Sequence, residues 1–246
     1  MIDMHSHFLP QMDDGSRNVE ETFQMIKEAR KAGFTAIVST SHYIANTYDF
    51  NKEERREIIN AINSNLSKEN IDIKLYNGAE VYIDTDIIEK VKEGVIPKIN
   101  NSRYLLMELP MQNQMLSADD IIYSLLSNNI VPIIAHPERY KYVQDNPNIL
   151  IDLIEKGVLF QANFASVIGY YGNTAKKTVI KLLQNDMIHC LGTDCHRAKT
   201  IYSNMDKILE HLNKILPKKE IEKLTTVNPM KIISNQEIKI NFPNRI

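Results

Sequence analysis

Two cysteines, Cys190 and Cys195, are all this 246-residue chain holds, too few for a disulfide framework, so no covalent staple is expected. No apolar run reaches the roughly 18–20 residues a membrane-spanning helix needs. The N-terminus also lacks a basic segment followed by an apolar one, the order of a secretion signal. The chain is therefore expected to be cytoplasmic and not embedded in a membrane. Charge of either sign is in no excess: 29 Lys and Arg face 31 Asp and Glu, a net charge of -2, which makes no electrostatic case for nucleic-acid partners. Low-complexity linkers and long charged blocks are missing as well, so residues 1–246 are expected to form a single domain. With 43% hydrophobic and 24% charged residues there is material for one large core.

What the chain does have is alternation. Short apolar runs at residues 1–4, 34–39, 73–76, 104–107, 131–135, 158–161 and 188–191 read as strands. Between them lie amphipathic stretches at 19–32, 52–69, 85–93, 118–127, 147–156, 174–185, 201–215 and 219–224, which read as helices. Gly33 stands where the first helix wants a left-handed cap, and residues 237–246 read as a stray strand or a frayed tail. Repeated strand-helix units imply an α/β fold with a largely parallel sheet.

Ligand-type side chains fall where the chain leaves those strands. His5 and His7 follow the first, and in extended backbone a spacing of two puts both imidazoles on one face, a grip for a transition metal. His42 follows the second, Glu80 the third, Glu108 the fourth, His136 the fifth, and Asp194 with His196 the seventh. The sixth ends at Asn163, a poor ligand. Asp13 and Asp14 precede Gly15, so that one carboxylate serves the turn or a helix cap while the other faces the site. Any one such residue is more often a cap or a surface group than a ligand, but six of seven strands end this way, and in a parallel barrel those ends share one mouth. His189, within a strand, and His211, on a helix, are read as packed or solvated. The cysteines do not suit a thiolate phosphatase: six positions beyond Cys190 is His196, and beyond Cys195 is Ile201, where that chemistry needs an arginine.

The order His-x-His, lone His, Glu after Gly-Ala, His-Pro and closing Asp-x-His resembles the PHP (polymerase and histidinol phosphatase) superfamily of metal-dependent phosphoesterases. Asp13-Asp14-Gly15, Asn101-Ser-Arg-Tyr-Leu-Leu-Met-Glu108 and Pro132-Ile-Ile-Ala-His-Pro-Glu-Arg139 are similar to one branch. That branch is the manganese-dependent protein-tyrosine phosphatases encoded with bacterial capsule and exopolysaccharide genes. The resemblance covers about residues 1–235. It implies a distorted seven-stranded, TIM-like (β/α) barrel of PHP type holding three divalent metal ions. His5, His7, Glu80 and Asp194 would hold one, Glu80, Glu108 and His136 a second, and Asp14, His42 and His196 a third. Manganese comes from the resemblance, whereas the ligand chemistry alone equally admits iron or zinc. Arg139 matches a phosphate-contacting catalytic arginine. A second arginine, five residues beyond the last His, is replaced here by Ile201, leaving Arg17, Arg197 or Lys199 as substitutes. The implied substrate is a phosphotyrosine protein, a membrane-associated tyrosine kinase that governs polysaccharide export. Residues 43–50, 111–117 and 164–172 are expected to border the approach. The alternatives are another PHP activity, such as histidinol-phosphate hydrolysis, and a non-enzymatic barrel with structural metal.

Overall fold

A strand flanked by amphipathic helices has two faces to cover, and a curled parallel sheet with helices outside covers both. The computed structural model, which describes residues 1–246 with the Lys52 side chain excepted, is built in this way. Its strands are β1 (Ile2–Ser6), β2 (Ala36–Ser39), β3 (His42–Tyr43), β4 (Lys74–Asn77), β5 (Glu80–Tyr82), β6 (Tyr104–Glu108), β7 (Val131–Ala135), β8 (Leu159–Asn163) and β9 (Cys190–Gly192). They pair in parallel as one sheet of order β1-β2-β4 and another of order β3-β5-β6-β7-β8-β9. Helices cover the outside, among them Val19–Lys31, Lys52–Lys68, Ala118–Ser127, Asn173–Gln184 and Met205–Ile215. Asn18 opens the first by accepting the Glu21 N–H, and Gly33 follows it at φ +90, the left-handed end expected. Among the described residues no helix is long and apolar enough to cross a membrane.

Every segment read as a strand contains one, but the expected single sheet of seven is instead nine short strands in two sheets. The reason is a matched kink in neighbouring strands. Ser39 of β2 pairs with Asn77 of β4, and the ladder resumes three residues on, with His42 of β3 opposite Glu80 of β5. Thr40-Ser41 and Gly78-Ala79 form the break. Below it β4 is a sheet edge; above it β5 also pairs with β6. On the far side the chain leaving β9 returns to β1, with Asp194 N–H donating to His5 O (2.7 Å) and His7 N–H to Cys195 O (3.0 Å).

Alternate residues of each strand enter two apolar clusters. Ile2, Met4, Ala36, Val38, Leu106, Ile133, Ala135, Leu159 and Cys190 meet inside the curl, where Ile232, Ile233 and Ile238 also pack. Ile37, Leu105, Met107, Ile134, Phe160 and Leu191 pack outward with helix residues such as Met25, Ile26 and Leu125. Ile232 and Ile233 come from a helix, Asn228–Ile233, absent from the sequence reading, as is Lys141–Asp145. Residues 237–246 have no regular structure, although Ile238 is buried.

Candidate metal centre

Strict alternation along β1 puts Ile2 and Met4 inside and would send His5 outward with Asp3. The pairing prevents this: Asp3 lies opposite Ile37 but Ser6 opposite Ser39, three residues of β1 advancing against two of β2. The resulting β-bulge rephases the strand, so that His5 and His7 both turn into the site. Buried Asp3 supports the bulge. Its Oδ1 accepts from His5 N (3.2 Å) and Thr193 N (2.8 Å), and its Oδ2 from Thr193 Oγ1 (2.6 Å) and Tyr202 OH (2.7 Å). Two neighbours press so closely on β1 that they must be glycine. A Cβ on Gly192 would sit 2.4 Å from His5 Cβ, and one on Gly15 would sit 2.2 Å from His7 O.

Each imidazole on β1 is oriented from behind. His5 Nδ1 donates to Gln161 Oε1 and His7 Nδ1 to Asp13 Oδ2, both at 2.7 Å, which turns each Nε2 into the site. Those two Nε2 atoms are 3.0 Å apart. Two imidazole nitrogens at that distance need a positive charge between them, a proton or a metal ion. Glu80 Oε2 is 3.2 Å from His5 Nε2, 3.4 Å from His7 Nε2 and 3.0 Å from His42 Nδ1, while Oε1 is 2.9 Å from His136 Nε2. Asp194 Oδ1 adds contacts to His5 (3.5 Å), His7 (3.6 Å) and His196 (3.4 Å). Asp14 lies 3.4 Å from His196 and 3.7 Å from His42, and Glu108 lies 3.6 Å from His136. All nine residues proposed from the sequence as ligands thus stand in one connected cluster.

Three subsets bring their donor atoms within 4.8 Å of one another: His7, Asp14, His42 and His196; His5, His7 and Glu80; and His42, Glu80 and Glu108. These cut across the three ligand sets implied by resemblance, since His7 and His42 each lie between two groups. His136 Nδ1 is buried without a hydrogen bond, at a cost of about 1–3 kcal/mol unless another partner takes it, and His42 Nδ1 and Glu80 Oε2, though 3.0 Å apart, are buried without the alignment of a hydrogen bond. His136 and Asp194 also hold left-handed backbone, with φ 35 and φ 54. Strain of this kind at two strand exits belongs with function more than with stability. The donor set fits divalent cations.

The field agrees. Burial opposes charge on His5, yet Glu80 and Asp194 carry its imidazole up to about 10; His42, also buried, is carried up to about 9, chiefly by Glu80. Burial works against ionised Glu80 and Asp194, but the imidazoles around them hold both below the usual carboxylate range. Glu108 moves the other way, raised by burial and by the charge of Glu80. A pocket that stabilises this much positive charge attracts cations.

Arg139 lies beside the cluster. Its Nη1 donates to Asp194 Oδ2 (2.8 Å), and its Cζ is 4.7 Å from the Tyr171 ring centre. Asn163 Nδ2 donates to the same Asp194 oxygen at 2.8 Å. A cavity of about 410 Å³ opens here, lined by Asp14, Arg139, Tyr170, Tyr171, His196 and Arg197 among others. Of the three substitutes for the second arginine, Arg197 is in this wall, its Nη1 donating to Gly15 O and His196 O, while Arg17 and Lys199 are exposed and outside it. Of the three loops, residues 164–172 supply Tyr170 and Tyr171, and 43–50 supply Tyr48, stacked 6.0 Å from the His42 ring. Residues 111–117 instead border a separate apolar cavity of about 190 Å³ through Met115 and Leu116. The sequence reading missed Gln161, Asn163 and the grip of Asp13 on His7. Asn163, set aside as a poor ligand, holds Asp194, one of the proposed ones. His189 is buried, its Nδ1 accepting from Phe160 N (3.1 Å), and His211 bonds Lys207 O within its helix; neither reaches the site.

Comparison with known proteins follows the same line. The sequence model for capsular polysaccharide synthesis proteins of the CpsB/CapC type matches residues 1–234. Tyrosine-protein phosphatase YwqE of Bacillus subtilis is 30% identical over 97% of this chain and 93% of its own length. Among solved structures, one from the pair YwqE of Bacillus subtilis and CpsB of Streptococcus pneumoniae, described as unique metal-dependent tyrosine phosphatases, superposes with a TM-score of 0.93. It is 29% identical and covers 100% of this chain and 99% of that one. Histidinol phosphate phosphatase of Lactococcus lactis shares the fold, with a TM-score of 0.59 at 16% identity over 87% of this chain and 93% of that one. The chain belongs to the CpsB/CapC family of capsular polysaccharide synthesis proteins.

Proposed function

We propose that this protein is a metal-dependent protein-tyrosine phosphatase of capsule or exopolysaccharide synthesis, acting in the cytoplasm as one domain. Its substrate is phosphotyrosine on a membrane-associated tyrosine kinase. The observation that carries this reading is the convergence of nine nitrogen and oxygen side chains, three with buried atoms that lack an aligned hydrogen bond, beside a cavity walled by Arg139. Counting β2 with β3 and β4 with β5 as kinked single staves, we read the two sheets as one distorted seven-stave barrel. His5, His7, Glu80 and Asp194 would hold one ion, Glu80, Glu108 and His136 a second, and Asp14, His42 and His196 a third, manganese being the metal proposed. Such ions supply Lewis-acid stabilisation to phosphoryl oxygens when bound.

The chain's own groups do the rest. Arg139, a planar fork matched to phosphate, takes the charge gathering on the equatorial oxygens. Arg197, in the wall of the same cavity, serves as the second cationic contact in place of the residue missing at Ile201. Tyr170, 55% exposed at the same wall, offers a ring for the substrate's ring to stack on. A tyrosine leaving group, with an unperturbed pKa of about 10, departs with little help from a general acid, which an alkyl phosphate would need.

The test combines metal analysis with turnover of phosphotyrosine peptide, histidinol phosphate and single-stranded DNA. Preferential, manganese-stimulated hydrolysis of the peptide is expected. Preferential turnover of histidinol phosphate would move the protein to the second activity; likeness of fold alone speaks for that one.

A further inference from the structure

Arg55, on helix Lys52–Lys68, is 1% exposed and makes no salt bridge among the described residues. Its bonds go to the two strand breaks. Nε donates to Asn77 Oδ1 (2.6 Å), and Nη2 donates to Ser39 O (3.0 Å), Ser39 Oγ (2.8 Å) and Gly78 O. Ser39 ends β2, and Asn77 ends β4 with Gly78 next in the break; three residues beyond Ser39 stands His42, and three beyond Asn77 stands Glu80. One guanidinium therefore ties together the points at which both strands leave the lower sheet and swing toward β6. Phe50 backs it, 4.6 Å from Cζ to ring centre.

We infer that Arg55 is a positioning residue of the metal centre: it clamps the matched kink and so sets where His42 and Glu80 stand relative to Glu108, His136 and His5. This rests on the metal-dependent reading above. Packing alone does not account for an arginine here, because an apolar side chain would fill the space without desolvating a charge. Burial pushes the guanidinium down to about 9, only the charge of Asp13 opposing it. Nor is the fork complete, since Nη1 has no partner. What arginine supplies and lysine does not is a rigid spread of donors that reaches carbonyls on two strands at once.

The experiment is calorimetric titration of manganese into metal-free wild type, Arg55→Met and Arg55→Lys. The control is Leu125→Ala, a cavity in the outer cluster away from the kink, studied with the others well below their melting temperatures. Arg55→Met is expected to weaken manganese binding roughly 10- to 100-fold, the scale for losing a group that orients a ligand. Arg55→Lys should fall between, and Leu125→Ala should lose stability but bind as wild type does. If Arg55→Met fails to fold, Asn77→Ala removes one arm of the clamp, and a smaller weakening is expected. Wild-type affinity in Arg55→Met or, failing that, in Asn77→Ala overturns the inference, as does equal weakening in Leu125→Ala. Wild-type protein that binds no manganese overturns the metal-centre reading itself, before any variant is compared.

Discussion

Replacing Arg139 by alanine separates phosphate recognition from metal binding. The side chain is tied to the cluster only through Asp194, at 2.8 Å, and Asp194 keeps Asn163 when the guanidinium goes. Its removal also takes a positive charge from the rim, so cations should bind no more weakly than before. The loss falls on the phosphoryl group. A hydrogen bond to a charged group contributes roughly 1.5–3 kcal/mol, and a donor aimed at charge that develops in the transition state about 10²–10³ in rate. We therefore expect kcat/KM for a phosphotyrosine peptide to drop about 10²- to 10³-fold at saturating manganese, with unchanged metal stoichiometry. Arg139→Lys should recover only part, having charge without the planar fork. Aryl phosphates with leaving groups of graded pKa supply the sharper assay. Because the contact is to phosphorus oxygens and not to the phenol, the factor should be the same across the series. A deficit that grows with leaving-group pKa, or metal lost in step with rate, would refute this role.

Three further outcomes follow. His136→Ala removes an imidazole 2.9 Å from Glu80 and should lose metal and turnover together, by at least the 10- to 100-fold typical of lesser changes around a metal; normal activity with full metal rejects it as a ligand. Chelation should abolish activity whereas brief thiol alkylation should spare it, because burial pushes the Cys195 thiol up to about 11 and Cys190 higher still; rapid inactivation by iodoacetamide would count against this. His189 should make the metal-free protein acid-sensitive. Burial, helped by Lys223, holds its imidazole down at about 4 against an ordinary 6.5, so below pH 6.5 the unfolded chain binds a proton that the folded one refuses. Its contribution is whole above pH 6.5 and lost between 6.5 and about 4, up to roughly 3 kcal/mol. His189→Asn, which can still accept from Phe160 N–H, should flatten urea-unfolding stability over that window; parallel curves for the two proteins would dismiss the effect.

How much of this could be read beforehand depended on whether the signal was local. Buried parallel strands are continuous apolar runs, so Leu105-Leu-Met and Ile133-Ile-Ala announced β6 and β7, and a charged or imidazole group straight after such a run stood out. The bulge in β1 and the kinks at Thr40-Ser41 and Gly78-Ala79 left no such mark, because a shift of one residue in register is a relation between strands and changes no hydrophobic period. Asn228-Pro229 was a legible helix start that went unread, and the five residues of Lys141–Asp145 are too few for periodicity to act. Gln161 and Asn163 were dismissible as strand-end amides until His5 and Asp194 were seen 2.7 and 2.8 Å from them.

The unread features have one thing in common: each braces a proposed ligand. Asp3 holds the bulge that turns His5 inward, Asp13 and Gln161 orient the rings of His7 and His5, and Asn163 bonds the Asp194 oxygen directed away from the imidazoles. Each of these groups is buried or nearly so and costs desolvation, which apolar residues would not. That cost is understandable if the cluster must stay assembled against its own repulsion before any cation arrives. Carboxylates gathered at one mouth, and two imidazole nitrogens 3.0 Å apart, would otherwise spread. Seating the proposed ligands at or just beyond strand ends and bracing them from neighbouring strands leaves the loop after β1 to supply only Asp14 among them, the one whose side chain is 57% exposed and so free to adjust when substrate enters.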